Sequence, residues 1–456
     1  MARYAIVGVG HRSYMYLRAL AGDHAADGRL VALCDINPGR LAVAAASVAG
    51  LDPATYDAAD FDRMVAETSP DRVIVTVPDR LHADYIVRAM GLGCDVITEK
   101  PLTVDAASCA RILDARARTG RELIVGFNYR YSPVRTRLKQ VLMSGIIGHV
   151  QSATFEWRLD TYHGADYFRR WHRGRANSGG LFVHKATHHF DLLNWWLGDV
   201  PARVSASGRR VFYRPEMGDA LGFTDRAGRC ADCPAFARCG FRLDMAGNDH
   251  LRTLYADNEA HDFYLRDRCV FDADMDIEDS MQASIDYRGG IVVNYALTAF
   301  APSEGYRVTF DGTRGRIEHT NVERGFVQPD GQLVSPPLPQ ADRIVVQPQF
   351  QRGYDLVLPD ATGTHGGGDA VMLRRLFGPR ANDEYGHAAD ARAGTWSALV
   401  GIAASASLAG RMPVDLADLV VDVPLPDAVG APFGPDAVWQ TFDPALYPFL
   451  EGAGRV

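Results

Sequence analysis

Between Tyr4 and Val125 the chain alternates short apolar, β-branched runs with stretches of helical periodicity, and this alternation constrains the fold more than any other feature. The runs are Tyr4–Gly8, Leu30–Asp35, Val73–Val77, Val96–Thr98 and Leu123–Val125. The helical patterns between them are Ser13–Ala21, Pro38–Val48, His82–Met90 and Val104–Thr119. Repeated strand–helix–strand units imply a parallel sheet with helices on both faces. After Asn128 the texture changes, and Gln151–Trp157, Val204–Arg210, Asp279–Tyr287, Ile291–Thr298 and Arg307–Asp311 read as longer strands. Within Asp279–Tyr287, Met281, Ala283, Ile285 and Tyr287 alternate with Gln282, Ser284 and Asp286, the period of a sheet covered on one face. Helices near Thr187–Trp196 and Ala391–Ala409 supply part of that cover.

Gly8-Val9-Gly10-His11-Arg12-Ser13 ends the first run and opens the first helix. Glycines there permit a tight turn and a close approach of backbone N–H groups to a pyrophosphate seated on a helix N-terminus. Ser13 stands where a third glycine is usual. Asp35, at the end of the second run, suits the hydroxyls of an adenosine ribose and repels a 2′-phosphate, which favours NAD over NADP. Arg40 blurs that preference, and Asp35 capping a helix ahead of Pro38 is the plainer alternative. The expected fold is therefore α/β: a Rossmann dinucleotide-binding domain over residues 1–127, then an α+β domain over 128–456 with a largely antiparallel open sheet. The second domain is expected to bind substrate and mediate oligomerisation, with an irregular cysteine-containing insert at about 211–270. The Pro-rich stretch 328–348 and the tail from Val423 read as loops or surface arms.

The net charge of −8, with both signs interspersed, gives no footprint for nucleic acid or an anionic membrane. No apolar run approaches the ~20 residues needed to span a bilayer, and the N-terminus lacks signal-peptide character. The expected location is the cytoplasm. Seven cysteines in 456 residues do not suggest a disulfide framework.

Three further motifs follow in order: Val75-Thr76-Val77-Pro78-Asp79-Arg80-Leu81-His82, Thr98-Glu99-Lys100-Pro101-Leu102 and Gly126-Phe127-Asn128-Tyr129-Arg130-Tyr131-Ser132-Pro133. Together with Gly8 and Asp35, this pattern resembles the glucose–fructose oxidoreductase/inositol dehydrogenase (Gfo/Idh/MocA) family from residue 3 to about 200, and more weakly to the helix near 391–410. The resemblance implies a nicotinamide cofactor contacted by Gly8, Gly10, His11, Arg12, Ser13, Asp35, Asn37, Arg40, Thr76, Pro78, His82, Glu99, Lys100 and Asn128. It also implies a homodimer or homotetramer built on the open sheet face. Lys100 would lie beside the nicotinamide ring, where a partly desolvated amine relays the alcohol proton.

Family members commonly show Gly-Gly, an acid, a His four residues on and an Asp three beyond. Here Gly179-Gly180 precede His184, His188 and Asp191, so His184 replaces the acid. The i, i+4, i+7 spacing puts the three on one helical face. His188 is the expected acid/base, with His184 in a proton relay and Asp191 orienting His188 or binding a substrate hydroxyl. The aromatic- and donor-rich Asp160–His172 stretch suits a sugar, with His163, Tyr167, Arg170 and Trp171 as expected contacts, along with Arg130. His365, ahead of three glycines, either reaches the active-site rim or belongs to a helix cap.

The activity implied is hydride transfer between nicotinamide and a secondary hydroxyl of a sugar, sugar derivative or polyol. The alternative is an NAD-dependent glycoside hydrolase that oxidises transiently, eliminates the aglycone and recycles its cofactor. In the insert, Cys230, Cys233 and Cys239 give C-x2-C-x5-C, with Cys269 thirty residues further on. That spacing fits a structural zinc, with Cys269, His250 or His261 as fourth ligand. An iron–sulfur cluster and a loop of reduced thiols are the other readings.

Overall fold

The strand Ala2–Val7 (β1) is apolar on both sides, which suits only a central position, and the computed structural model places it there. The structure describes residues 1–328, 333–334, 342–360, 363–379, 382–420 and 423–428. Strands β1, β2 (Gly28–Asp35), β3 (Ala54–Asp57), β4 (Arg72–Val75), β5 (Asp95–Thr98) and β6 (Leu123–Val125) form a parallel sheet in the order β6-β5-β4-β1-β2-β3. Helices α1 (Tyr14–Ala21), α2 (Pro38–Ser47), α3 (Phe61–Thr68), α4 (His82–Gly91) and α5 (Ala106–Thr119) connect them. Alternate residues of β1 enter two separate cores. Ala5 and Val7 pack with Phe61, Ile86 and Ile112 on one face, and Tyr4 and Ile6 with Leu17, Leu20 and Leu41 on the other. The seventh strand of this sheet, Ala389–Asp390, arrives from far along the chain and pairs antiparallel with β6.

Helix α6 (Pro133–Met143) leads into a nine-stranded sheet built on β7 (Val150–Asp160), β8 (Pro201–Arg209), β9 (Ser280–Tyr287), β10 (Val292–Ala301), β11 (Glu304–Gly312) and β12 (Gly315–Arg324). Its order is 354–355, 342–348, β12, β11, β7, β10, β9, β8, 414–415, and only the β7–β10 pairing is parallel. The inward side chains Phe155, Trp157, Tyr295 and Tyr306 are fully buried. Between β7 and β8 lie α7 (Thr161–Arg169), α8 (Arg175–Ser178), α9 (Leu181–His184) and α10 (Ala186–Leu197), and every residue of α10 is buried.

Two expectations are corrected. Helix Ala391–Gly410 is long and apolar enough, by length and composition, to cross a membrane, although the sequence reading found no such run. It is a core helix, with small residues that let it pack closely on α9 and α10, and a side chain at Gly401 would meet the Phe182 carbonyl at 2.4 Å. Within the Pro-rich stretch, Asp342–Pro348 is a strand paired along β12 rather than loop, because Ile344 and Val346 bury their side chains. Residues 329–332 and 335–341 of that stretch, and 429–456 of the tail, lie outside the described residues. The insert contains short helices at Pro215–Ala220, Asp249–Leu254 and Glu259–Asp262, and its Met245, Leu254 and Tyr255 join the α1/α2 core of the first sheet.

Candidate active site

Gly8 follows β1 with φ +86°, and a Cβ there would stand 2.7–2.8 Å from the backbone of Thr76 and Val77. Only glycine lets the two strand ends approach this closely. The chain then turns through Gly10 into a short 3-10 segment, His11–Ser13, that leads into α1. This turn is one wall of a cleft of about 600 Å³ that runs from Asp35 and Arg40 past Gly8, Thr76 and Pro78 to Lys100, His184 and His188. The cradle fits a dinucleotide: bare backbone at the turn, an acid at the end of β2, and an elongated cavity beyond.

At the β2 end, the Asp35 carboxylate accepts the N–H of Val9 at 2.7 Å and of Asn37 at 2.8 Å, and pairs with Arg40 at 3.2 Å. Arg40 is also bound by Asp262 of the insert, so two carboxylates flank one guanidinium. The insert closes the same region from above. The Tyr255 hydroxyl accepts the His11 N–H at 2.8 Å, and the Asn258 carbonyl accepts from Asn37 at 3.0 Å. Desolvation, with Arg266 and His250 adding to it, lowers the His11 pKa to about 4.

Lys100 stands at the end of β5, before a cis bond to Pro101. Its Nζ lies 3.2 Å from His184 Nε2 and 3.1 Å from the His184 carbonyl. His184 Nδ1 in turn bonds the Asp79 carboxylate. Carboxyl, imidazole and amine thus form one chain, in which Asp79 and His184 are buried and Lys100 is half-buried at the cleft. Burial lowers the lysine to about 8 against the opposing pull of Asp79 and Glu99. Burial also raises Asp79 well above the usual carboxylate range and lowers His184 well below the usual imidazole range. Glu99 accepts from Arg12 at 2.6 Å and from the Tyr16 hydroxyl at 2.9 Å, tying the glycine turn to the Glu-Lys-Pro segment. His82 spans the carbonyls of Pro101 and Val77 at 2.7 and 3.0 Å and so holds that segment in place.

His188 lines the cleft stacked on Tyr129 (4.4 Å between centroids), and its buried Nδ1 has no hydrogen-bond partner. Burial lowers its pKa well below the usual value. Opposite, Tyr167 Oη lies 2.9 Å from His163 Nε2, and His163 Nδ1 lies 2.8 Å from the fully buried Glu304. Arg170 pairs with Asp166 at 2.7 Å while its buried Nε lacks a partner. Trp171 stacks on His172 at 3.7 Å, and His172 meets His184 at 4.1 Å. The cleft therefore combines two proton-carrying chains with aromatic faces, the mixture a polyhydroxylated ring requires.

Of the expected site residues, Lys100, His184, His188, His163, Tyr167, Arg170 and Trp171 line this cleft, as do Gly8, Gly10, His11, Arg12, Asp35, Arg40, Thr76, Pro78, His82, Glu99 and Asn128. Four do not. Ser13 is buried, with its hydroxyl turned back to the Gly10 carbonyl at 2.8 Å. Asn37 is buried as the cap of α2, accepting from the Arg40 N–H. Arg130 and Asp191 form a buried two-bond ion pair at 2.6 and 2.7 Å. Asp191 does not line the cleft that His184 and His188 share. Residues that sequence reasoning missed are Asp79, Lys185, Tyr255, Asp262 and Glu304; His365, left open there, reaches the cleft and bonds Asp369 at 2.8 Å. The zinc expectation at Cys230, Cys233, Cys239 and Cys269 is not met: among the described residues no group of three or more His, Cys, Asp or Glu is arranged to hold a metal ion. The four thiols are free and surround a cavity instead of closing on a point.

Residues 2–127 match the family described as the oxidoreductase family, NAD-binding Rossmann fold, and residues 139–416 match its C-terminal alpha/beta domain. The chain is 36% identical over 435 residues to YteT of Bacillus subtilis (strain 168), named only as an oxidoreductase, covering 92% of this chain and 99% of that one. It is 32% identical over 218 residues to an inositol 2-dehydrogenase of Rhizobium meliloti (strain 1021), covering 48% of this chain and 61% of that one. Among solved structures, the WlbA dehydrogenase of Bordetella pertussis, in complex with NADH and UDP-GlcNAcA, superposes with a TM-score of 0.60 at 18% identity, covering 93% of this chain and 99% of that one. The cradle at Gly8, the cleft and these matches agree: the chain is an NAD-binding oxidoreductase of the Gfo/Idh/MocA family.

Proposed function

We propose that the protein is an NAD-dependent dehydrogenase acting on a secondary hydroxyl of a sugar, sugar derivative or polyol. The observation that carries this reading is the chain Lys100–His184–Asp79 at the inner end of the dinucleotide cleft. When bound, NAD supplies the hydride acceptor. The protein handles the proton. A Lys100 amine, already weakened as a base by burial, accepts the hydroxyl proton and passes charge towards His184, whose far nitrogen is held by Asp79. His188, with a free buried nitrogen, positions the same hydroxyl or its neighbour. Trp171 offers a flat face, and Arg170 and Tyr167 offer donors. NAD is preferred to NADP because Arg40 is already neutralised by Asp35 and Asp262. A panel of free sugars, polyols and cyclitols incubated with NAD should yield NADH with at least one member, and Lys100→Ala should abolish it.

One observation supports a second reading, the redox-neutral glycoside hydrolase. Tyr167–His163–Glu304 is a second proton chain in the same cleft, separate from the lysine chain. Simple oxidation needs one base, whereas elimination after oxidation needs another. Aglycone release that requires NAD yet leaves no net NADH would establish this reading over the first.

A further inference from the structure

A second cavity adjoins the cleft, and the chemistry at Lys100 does not use it. Its volume is about 650 Å³, within the range of pockets that hold small ligands. Arg170, Trp171, Asn177 and Tyr264 line both spaces, so the two meet at the sugar-binding end of the cleft. The insert supplies the far wall. Arg229 bridges to Arg268, the Cys230 N–H bonds the Asp267 carbonyl at 2.8 Å, and the Cys269 N–H bonds the Gly228 carbonyl at 2.9 Å. These bonds hold segments 228–230 and 267–269 side by side.

Phe263 lines this cavity and is 85% exposed. It ends the helix Glu259–Asp262 in the left-handed region at φ +56°, with its N–H bonded to the Glu259 carbonyl at 2.7 Å. Glycine or asparagine closes a helix this way with little strain, whereas a phenylalanine combines a strained backbone with an uncovered apolar ring. Neither property helps the helix, so the ring is there for what the cavity holds. Trp171, stacked on His172 at 3.7 Å, is the second aromatic residue of the cavity, and Tyr264 the third. Aromatic rings along a polar space suit the C–H surfaces of a sugar.

The charges decide the class of ligand. Four guanidiniums line the cavity, and each already has a carboxylate partner. Arg170 pairs with Asp166 at 2.7 Å and Arg229 with Glu259 at 2.7 Å, while Arg173 and Arg268 share Asp272 and Asp274. An anion would find no unpaired cation there. What the cavity offers instead is a row of matched donors and acceptors, of which Arg268 and Asp274 keep 38% and 49% of their side chains exposed. A hydroxyl can accept from one and donate to the other without unbalancing the charge. We infer that this cavity is a subsite for a neutral sugar unit linked to the ring that reacts, so that the substrate is an oligosaccharide in preference to a free monosaccharide or cyclitol.

The inference rests on the proposed function for the place of the reacting ring, and on the cavity alone for the second unit. The two spaces are close in size, and the cleft must take the dinucleotide as well as one ring, so a monosaccharide leaves the second space without a role. A unit bound there raises kcat/KM by orienting the ring beside Lys100. One short helix serves both ends, since Glu259–Asp262 carries Asp262 to Arg40 and Phe263 to the cavity.

The test is binding of the full chain, saturated with NADH, to an array of neutral and acidic mono-, di- and trisaccharides, followed by turnover of the bound members with NAD. Expected is capture of neutral di- or trisaccharides about tenfold or more tighter than their terminal monosaccharide, the scale of one or two added polar contacts. Phe263→Ala and Arg268→Ala should each bring that ratio, measured within the same variant, close to one. Equal binding of mono- and disaccharide, a ratio that neither variant changes, or no glycan bound at all would overturn the subsite. Capture confined to uronate- or phosphate-bearing glycans would overturn its neutral class. An oligosaccharide bound through Phe263 and Arg268 that yields neither NADH nor a cleaved product would leave the subsite standing and sink the dehydrogenase reading. NADH from a monosaccharide, with no gain from a second ring, would do the reverse.

Discussion

Lys100 Nζ lies 3.2 Å from Nε2 of His184, whose Nδ1 is held by Asp79, so the amine at the inner end of the cleft is one terminus of a hydrogen-bonded chain rather than an isolated base. In the proposed reaction, oxidation requires the neutral amine. With Lys100 lowered to about 8, the oxidation rate should rise with pH and level off above that value, while reduction should fall over the same range. A pH profile of kcat/KM in both directions checks the sign. Lys100→Ala should cost about 10²–10⁴-fold in kcat. His184→Phe should cost less and move the profile, since it leaves the amine but removes its relay.

Gly8→Ala should abolish NAD binding. The added methyl would stand 2.7 Å from Val77 N in a left-handed conformation at φ +86°. Strain of about 1–3 kcal/mol is expected in the folded state. Thermal unfolding with and without NAD distinguishes the two effects: the variant should lose both some intrinsic stability and the stabilisation that NAD confers on the parent.

Asp35→Ala should weaken NAD by about 10–100-fold, the scale of one charge-assisted hydrogen bond. It also leaves Arg40 with Asp262 as its sole carboxylate partner. The ratio of NADP to NAD affinity should therefore rise, as measured by titration of intrinsic fluorescence.

Arg130→Ala should act on stability before activity. Its guanidinium and Asp191 are both almost fully buried and bonded to each other twice. Removing one partner strands the other charge, at a cost of about 3–5 kcal/mol. Urea unfolding should show a lower midpoint. If binding of an identified substrate were lost with stability intact, Arg130 would be a substrate contact after all.

What was legible in the sequence was what is local in the chain. Gly8, Gly10 and Asp35 declare themselves because a turn and the strand end beside it need particular residues at short spacing. The Glu99-Lys100-Pro101 segment and His188 follow from motif order. Asp79 was in view, but its partner His184 is 105 residues away, and nothing in either neighbourhood announces the pairing. Glu304 pairs with His163 across 141 residues, and Tyr255 reaches His11 across 244. Arg130 and Asp191 misled for the opposite reason: polar residues in a functional-looking register satisfied each other in the core. Helical spacing alone could not show that Asp191 is taken up by Arg130 and does not line the cleft. Ser13 and Asn37 sit within the fingerprint but spend their side chains on the turn and the cap.

The strand Ala389–Asp390 closes the outer edge of the dinucleotide sheet by pairing with β6. During synthesis, β6 leaves the ribosome more than 260 residues before that partner exists (389 minus 125). Throughout that interval the sheet presents an open edge, the kind of surface on which unfinished chains mispair. The nucleotide-binding half thus cannot reach its final form as an autonomous early unit; its completion waits for almost the whole polypeptide, and a chain truncated before residue 389 should be prone to aggregate.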